Sequence, residues 1–252
     1  MKISTSLLVF LFLVFMLQPA FVFGQEWSSP IDVGYGDTPD MDIDPNTGYV
    51  YILSMNGGVK ITVYDEDGNY ISQENVPETE NDQGTARFGA TIAVDNDGYP
   101  HICYRQYHGN NYYTTWYKRK TPNGWTGSLR LTKFKYRAYV IRMDVDENNV
   151  AHIVNGIAWD NDIFGHVEYY RVYNNSISKQ MTLGTNYQFV WRADNRIEID
   201  TYPGGYIHVV SGLPNPTGKI YYFYSDDNGD TFTDGTNIRQ ATNQSRTGSP
   251  EL

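Results

Sequence analysis

Apolar and polar residues alternate with a period of two along most of the chain, in short runs broken by Asn, Asp, Gly and Pro. That is the pattern of half-buried strands joined by tight turns. One signature recurs: Met41-Asp42-Ile43-Asp44, Ile92-Ala93-Val94-Asp95, Met143-Asp144-Val145-Asp146 and Ile197-Glu198-Ile199-Asp200. A turn follows each, then a second apolar run, at Tyr49 to Leu53, His101 to Tyr104, His152 to Val154 and His208 to Val210. The closing aspartates, Asp44, Asp95, Asp146 and Asp200, are spaced by 51, 51 and 54 residues. Chance alternation does not keep such a register, so the chain is read as a tandem repeat.

Each unit holds four strand-like runs. In the second they are Gly89 to Val94, His101 to Gln106, Tyr112 to Lys118 and Ser128 to Phe134. The turn between third and fourth runs recurs at Asp65 to Gly68, Thr121 to Gly124, Tyr173 to Ser176 and Ser225 to Phe232. No helical period of useful length competes. Four-stranded units of about 50 residues predict an all-β chain, a β-propeller of four-stranded antiparallel blades. The blades are placed at about 36–84, 85–136, 137–190 and 191–243.

The fourth of those turns, Ser225-Asp226-Asp227-Asn228-Gly229-Asp230-Thr231-Phe232, matches S-x-D-x-G-x-T-[WF]. It resembles the Asp-box of the sialidase-like, or BNR-repeat, propellers. Ser225 and Asp227 suit bonds to turn backbone, Gly229 a positive φ, Thr231 the end of the turn, and Phe232 packing beneath the hairpin. The resemblance covers about Asp37 to Asn243, with one full motif. It implies a six- or seven-bladed ring, with the Asp-box on the face opposite the ligand. Four visible units then predict a fragment of such a ring. Trp27 to Val33 is read as an outermost strand lacking its own blade.

The start of the chain changes the picture of where it works. Lys2, the apolar run Leu7 to Leu17 and Val22-Phe23-Gly24 read as a signal peptide, residues 1–24, cleaved near Gly24. The remaining 25–252 is the propeller domain, expected to be secreted, periplasmic or at the cell surface, with no membrane span. A formal charge of −10 leaves no electrostatic footprint for nucleic acid. Aromatics make up 15% of the chain, enough to fill a core and argue against disorder. The one cysteine, Cys103, cannot form an internal disulfide and is read as a small buried strand residue.

Candidate chemistry follows from the loops. Arg87, Arg137 and Arg192 lie 8, 9 and 8 residues before their aspartates, so successive blades would present them near one axis. Guanidinium groups bind carboxylate or sulfate as a fork. The resemblance adds that sialidases use an arginine triad; the plain alternative is pairing with surface carboxylates. Arg105, Tyr107 and His108 share one loop and Trp159 lies in the next, aromatic and polar surfaces suited to sugars. Tyr107 and His108 are candidate proton-transfer groups beside the Arg105 cation. His101, His152 and His208 repeat at one structural position, which argues for packing rather than zinc. The Asp-rich turns at Asp65 and Asp95 lack a full calcium-loop pattern; no cofactor is called for, with calcium elsewhere left open.

A sialidase site would carry Phe/Tyr-Arg-Ile-Pro, and that string is absent. The sequence reading is therefore an exported sialidase-like propeller that binds or processes a glycan, an acidic polysaccharide or glycoconjugate. If it is an enzyme, a polysaccharide lyase or atypical glycosidase ranks above a true sialidase. The alternative is a non-catalytic adhesion or protein-interaction propeller.

Overall fold

The structure is a computed structural model that describes residues 29–34, 36–79, 89–108, 113–133, 137–158, 165–187, 196–212, 219–233 and 235–240. The chain divides into two units, Met1–Asp32 and Val33–Leu252. Of the first, residues 29–32 are described; they are irregular and exposed. All seventeen described strands belong to the second.

Alternating side chains and tight turns produce four consecutive antiparallel meanders. The first blade is β1 (Asp37–Ile43), β2 (Val50–Met55), β3 (Val59–Tyr64) and β4 (Tyr70–Asn75). The second is β5 (Ala90–Val94), β6 (Pro100–Tyr107) and β7 (Tyr113–Thr121), with an outer edge split into β8 (Gly124–Trp125) and β9 (Leu129–Arg130). The third is β10 (Arg137–Val145), β11 (Ala151–Ala158), β12 (Gly165–Tyr173) and β13 (Ser176–Tyr187). The fourth is β14 (Arg196–Tyr202), β15 (Tyr206–Gly212), β16 (Lys219–Ser225) and β17 (Thr236–Gln240). A single parallel bridge, Arg137 to Tyr113, links the third blade to the second.

Of the outer strand expected at Ser128 to Phe134, the described residues form Leu129–Arg130; beyond it the Thr115 N–H goes to Thr132 Oγ1 at 2.8 Å rather than to a backbone carbonyl. Residues 29–34 form no strand, contrary to the outermost strand expected over Trp27 to Val33; residues 25–28 lie outside the described residues. In the third blade the turn residues Asn174 and Asn175 have φ of 49° and 56°. Two successive left-handed residues make the hairpin turn whose twist suits its strands, and asparagine tolerates that conformation.

The core is three apolar layers between blades. Leu53, Ile61 and Val63 of the first meet Ile92, Ile102 and Tyr104 of the second. Cys103 and Tyr117 of the second meet Ile141, Ile153 and Tyr170 of the third. Val154, Val167 and Tyr169 of the third meet Ile197, Val209 and Phe223 of the fourth. Cys103 is fully buried, 3.8 Å from the Met143 sulfur.

Innermost strands pack side by side, β1 on β5, β5 on β10 and β10 on β14. Each pairs within its blade on one edge, so the N–H groups of its other edge need acceptors. Carboxylates of the preceding blade supply them. Asp40 accepts from the Ile92 N–H at 2.9 Å and the Thr91 hydroxyl at 2.6 Å, and Asp42 from the Val94 N–H at 2.6 Å. Asp144 does the same for the Thr201 N–H and hydroxyl, at 2.6 and 2.7 Å. Asp42 and Asp144, the first acids of two of the repeated patterns, thus tie blade to blade, as does Asp40 just before the first. The described residues do not close the ring, since β1 and β14 are not packed on one another.

Candidate functional site

Successive antiparallel strands put alternate connections at opposite ends of a blade. One end carries the first hairpin turns and the third-to-fourth turns. Here the repeated aspartates do structural work. Oδ1 of Asp95 accepts the backbone N–H groups of Asp97 and Tyr99, while Oδ2 accepts from His101 Nε2 at 3.1 Å and Arg119 at 2.7 Å. The other His101 nitrogen accepts the Tyr117 hydroxyl at 2.8 Å. Asp146, His152 and Tyr169 repeat this arrangement at 3.2 and 2.7 Å, and His208 bonds Tyr222 at 2.6 Å. The Asp65 turn likewise uses its carboxylate on Asp67 and Asn69. Burial alone would raise the Asp95 pKa, but His101, the Tyr99 N–H and Arg119 outweigh it and hold the group below its usual value. Burial pushes His101 below its ordinary value, the Asp95 contact opposing this only in part.

The Asp-box lies at this same end. Ser225 Oγ donates to Asp227 at 2.8 Å and accepts the Gly229 N–H at 2.9 Å; Asp227 accepts the Thr231 N–H and hydroxyl at 2.9 and 2.6 Å. Those Thr231 and Ser225 bonds lower the Asp227 pKa to about 2. Phe232 packs edge-on against Tyr169 of the preceding blade, ring centroids 4.8 Å apart.

The opposite end carries the β6–β7, β11–β12 and β15–β16 loops, and here a buried polar column runs between the second and third blades. On the second-blade wall, Arg105 of β6 lies opposite Thr115 of β7, and Tyr107 opposite Tyr113. Arg105 is 4% exposed, and its guanidinium carbon sits 4.1 Å from the Tyr113 ring centroid. The Tyr107 ring is tilted by 41° against that of Tyr113, centroids 5.1 Å apart, and Tyr107 is 39% exposed. On the third-blade wall, Asn155 of β11 lies opposite Glu168 of β12. Asn155 Nδ2 donates to Thr115 Oγ1 at 2.6 Å, joining the two walls, and Thr132 Oγ accepts the Thr115 N–H at 2.8 Å.

His166, Glu168 and Tyr170 alternate along β12 and so share one face. Glu168 accepts from His166 Nε2 at 3.0 Å, from Gln180 at 3.2 Å and from the Tyr170 hydroxyl. Burial raises this carboxyl, but His166 and Tyr170 more than compensate and leave it below its ordinary pKa. A negative charge is therefore held on the third-blade wall, with partners from its own blade.

Of the residues singled out in the sequence, the structure brings Arg105 and Tyr107 together. It turns His108 to the other face of the blade, where Nε2 meets Thr114 Oγ1 at 2.6 Å beside Trp116, on the first-blade side. Burial and the Arg130 charge lower the His108 pKa. Arg87, Trp159 and Arg192 lie outside the described residues, and Arg137 is described only as backbone at the start of β10. Tyr113, Thr115, Asn155 and Glu168 were missed. The alternation His166-Val167-Glu168-Tyr169-Tyr170, a charge at a core position of a third strand, was the available signal.

The same arrangement of blades is found in solved structures. An ulvan lyase, a polysaccharide lyase, superposes with a TM-score of 0.55 at 13% identity, over 82% of this chain and 59% of that one. An endo-arabinase from Bacteroides thetaiotaomicron gives 0.51 at 12% identity, over 80% and 79%. NanB with Optactamide gives 0.50 at 14%, over 75% and 31%. The fold is a β-propeller. At these identities the likeness concerns the fold. No protein-family model matches the chain, and no curated protein matches it.

Proposed function

We propose that the chain is an exported, sialidase-like propeller that binds or processes a glycan, an acidic polysaccharide or glycoconjugate. The observation that carries this is the polar column at the loop end of the second and third blades, where Arg105 stacks on Tyr113 beside the half-exposed Tyr107. Aromatic faces for sugar rings and a fixed cation for an acid group are the two things such a ligand needs. The fold it shares with a polysaccharide lyase and an endo-arabinase supports the same reading. The Asp-box supports the sialidase-like placement, and the leader residues 1–24 support export. If it is an enzyme, a polysaccharide lyase or atypical glycosidase ranks above a true sialidase, whose Phe/Tyr-Arg-Ile-Pro string the chain does not carry.

The test is a glycan array followed by product assays on the secreted protein, using polyuronates, sulfated galactans, arabinan and sialoglycans. Binding to acidic polysaccharides, with unsaturated ends appearing if it is a lyase, is the expected result. No binding and no new reducing or unsaturated ends across the panel would remove the reading.

A further inference from the structure

Strand register fixes which residues correspond from blade to blade. Asp42 of β1 pairs with Tyr51, Ala93 of β5 with His101, Asp144 of β10 with His152 and Asp200 of β14 with His208, so Asp42, Ala93, Asp144 and Asp200 hold one position. The N–H that follows this position finds its acceptor by a regular rule. Where the preceding blade has an acid there, that acid takes it: Asp42 accepts the Val94 N–H and Asp144 the Thr201 N–H, both at 2.6 Å. Thr201 bonds across to Asp144 although Asp200 stands beside it on its own strand. Where the preceding blade has no acid, the strand uses its own. Asp144 accepts the Val145 N–H at 2.8 Å, since Ala93 has no side-chain oxygen to offer, and Asp42 accepts the Ile43 N–H at 2.8 Å. Asp200 is thereby left exposed on the flank of the fourth blade that faces away from the third, and among the described residues no N–H bonds it.

We propose that two copies of this chain associate head to tail, the outer flank of one copy's fourth blade docking on the outer flank of the other's first, with Asp200 accepting the Ile43 N–H. Each flank is one half of the apolar layer built three times over within the chain. Met41 and Ile43, the counterparts of Ile92 and Val94, are 59% and 49% exposed where those are 4% and 7%. On the fourth blade Tyr222 and His208, the counterparts of the fully buried Tyr117 and His101, are half-buried, and Tyr202 beside them is 67% exposed. Apolar residues gathered in the open on one flank mark an association surface. Each copy carries both flanks and the two differ, so the contact is heterologous rather than self-complementary. At the joint the Ile43 N–H meets the choice that Thr201 meets, an acid on its own strand and an acid on the blade in front. For Thr201 the acid in front prevails. The inference stands apart from the glycan reading.

Sedimentation equilibrium of the whole chain over a range of concentrations tests this, together with Asp200→Lys and Ile43→Lys, both at exposed positions. The wild type is expected to associate reversibly. Each variant alone should need about tenfold to a hundredfold more protein to do so, because the joint loses a bond to a charged acceptor or takes in a lysine. An equimolar mixture of the two variants should associate more strongly than either alone, since Asp200 of the Ile43→Lys chain then meets the unaltered Ile43 of the other. That recovery also shows that both variants are folded. A wild type that stays monomeric at the highest concentration overturns the inference. So does association that Ile43→Lys abolishes and Asp200→Lys leaves alone, the mark of two first-blade edges pairing with each other. Association that neither variant disturbs overturns it as well. Glycan binding, present or absent, moves none of these readings.

Discussion

Gly229→Ala is expected to destabilise the protein by about 2–4 kcal/mol, the sum of a left-handed alanine and an overpacked contact. Gly229 has φ of +77°, where a side chain is strained whatever space surrounds it. There is no space. An added Cβ would overlap the Tyr169 hydroxyl and lie 2.6 Å from its Cζ. Tyr169 cannot withdraw, since it is fully buried, bonded to His152 at 2.7 Å and packed on Phe232. Urea unfolding of the variant reads the loss as a lower midpoint. Adding Tyr169→Phe should restore part of the overlap cost and none of the backbone cost. A midpoint unchanged from wild type would show that the turn and its neighbour do not meet.

Asp95→Ala should cost about 3–5 kcal/mol, because it strands Arg119 and His101 beside a vacated buried acceptor. Asp95→Asn should cost less, as it keeps an oxygen for the Tyr99 N–H. Asp95 is depressed in the folded state from an ordinary value of 3.8, so its contribution is complete above pH 3.8 and is lost as pH falls through the folded value. His101 is depressed from 6.5, so its loss begins as pH drops below 6.5. Asp146, Glu168 and Asp227 act in the direction of Asp95. Asp42 and Asp144, raised by burial, act against it by taking up protons in the fold first. Denaturant midpoints of the wild type should fall as pH drops below 6.5, and the part of the fall below pH 3.8 should be shallower for Asp95→Ala. Parallel profiles for the two proteins would disprove the assignment.

The sequence displayed the blades because one face of each strand is buried, and period-two alternation with fixed turn residues follows directly. The spacing of Asp44, Asp95, Asp146 and Asp200 was visible for the same reason, and so was the packing role of the repeated histidines. What Asp95 and Asp146 bond was not, because His101 and Tyr117 come together only when β6 and β7 pair. The column between blades was less legible still. Asn155 and Thr115 are 40 positions apart, and nothing local marks Asn155 as different from any other strand asparagine. His108 illustrates a different limit: it is adjacent to Tyr107 in sequence but follows the end of β6, and its ring meets Thr114 on the first-blade side, away from Arg105.

The carboxylates that join innermost strands also give the molecule a set of reporters. The amide protons of Ile92, Val94 and Thr201 are held by side chains of the preceding blade, not by their own sheet. Their exchange with deuterated solvent requires neighbouring blades to part, even while each meander stays intact. Protection at those amides, set against protection of the ladder amides beside them, separates the free energy of prising blades apart from that of unravelling one. The outcome would show whether the propeller comes undone as a stack of independent leaves or as a single body.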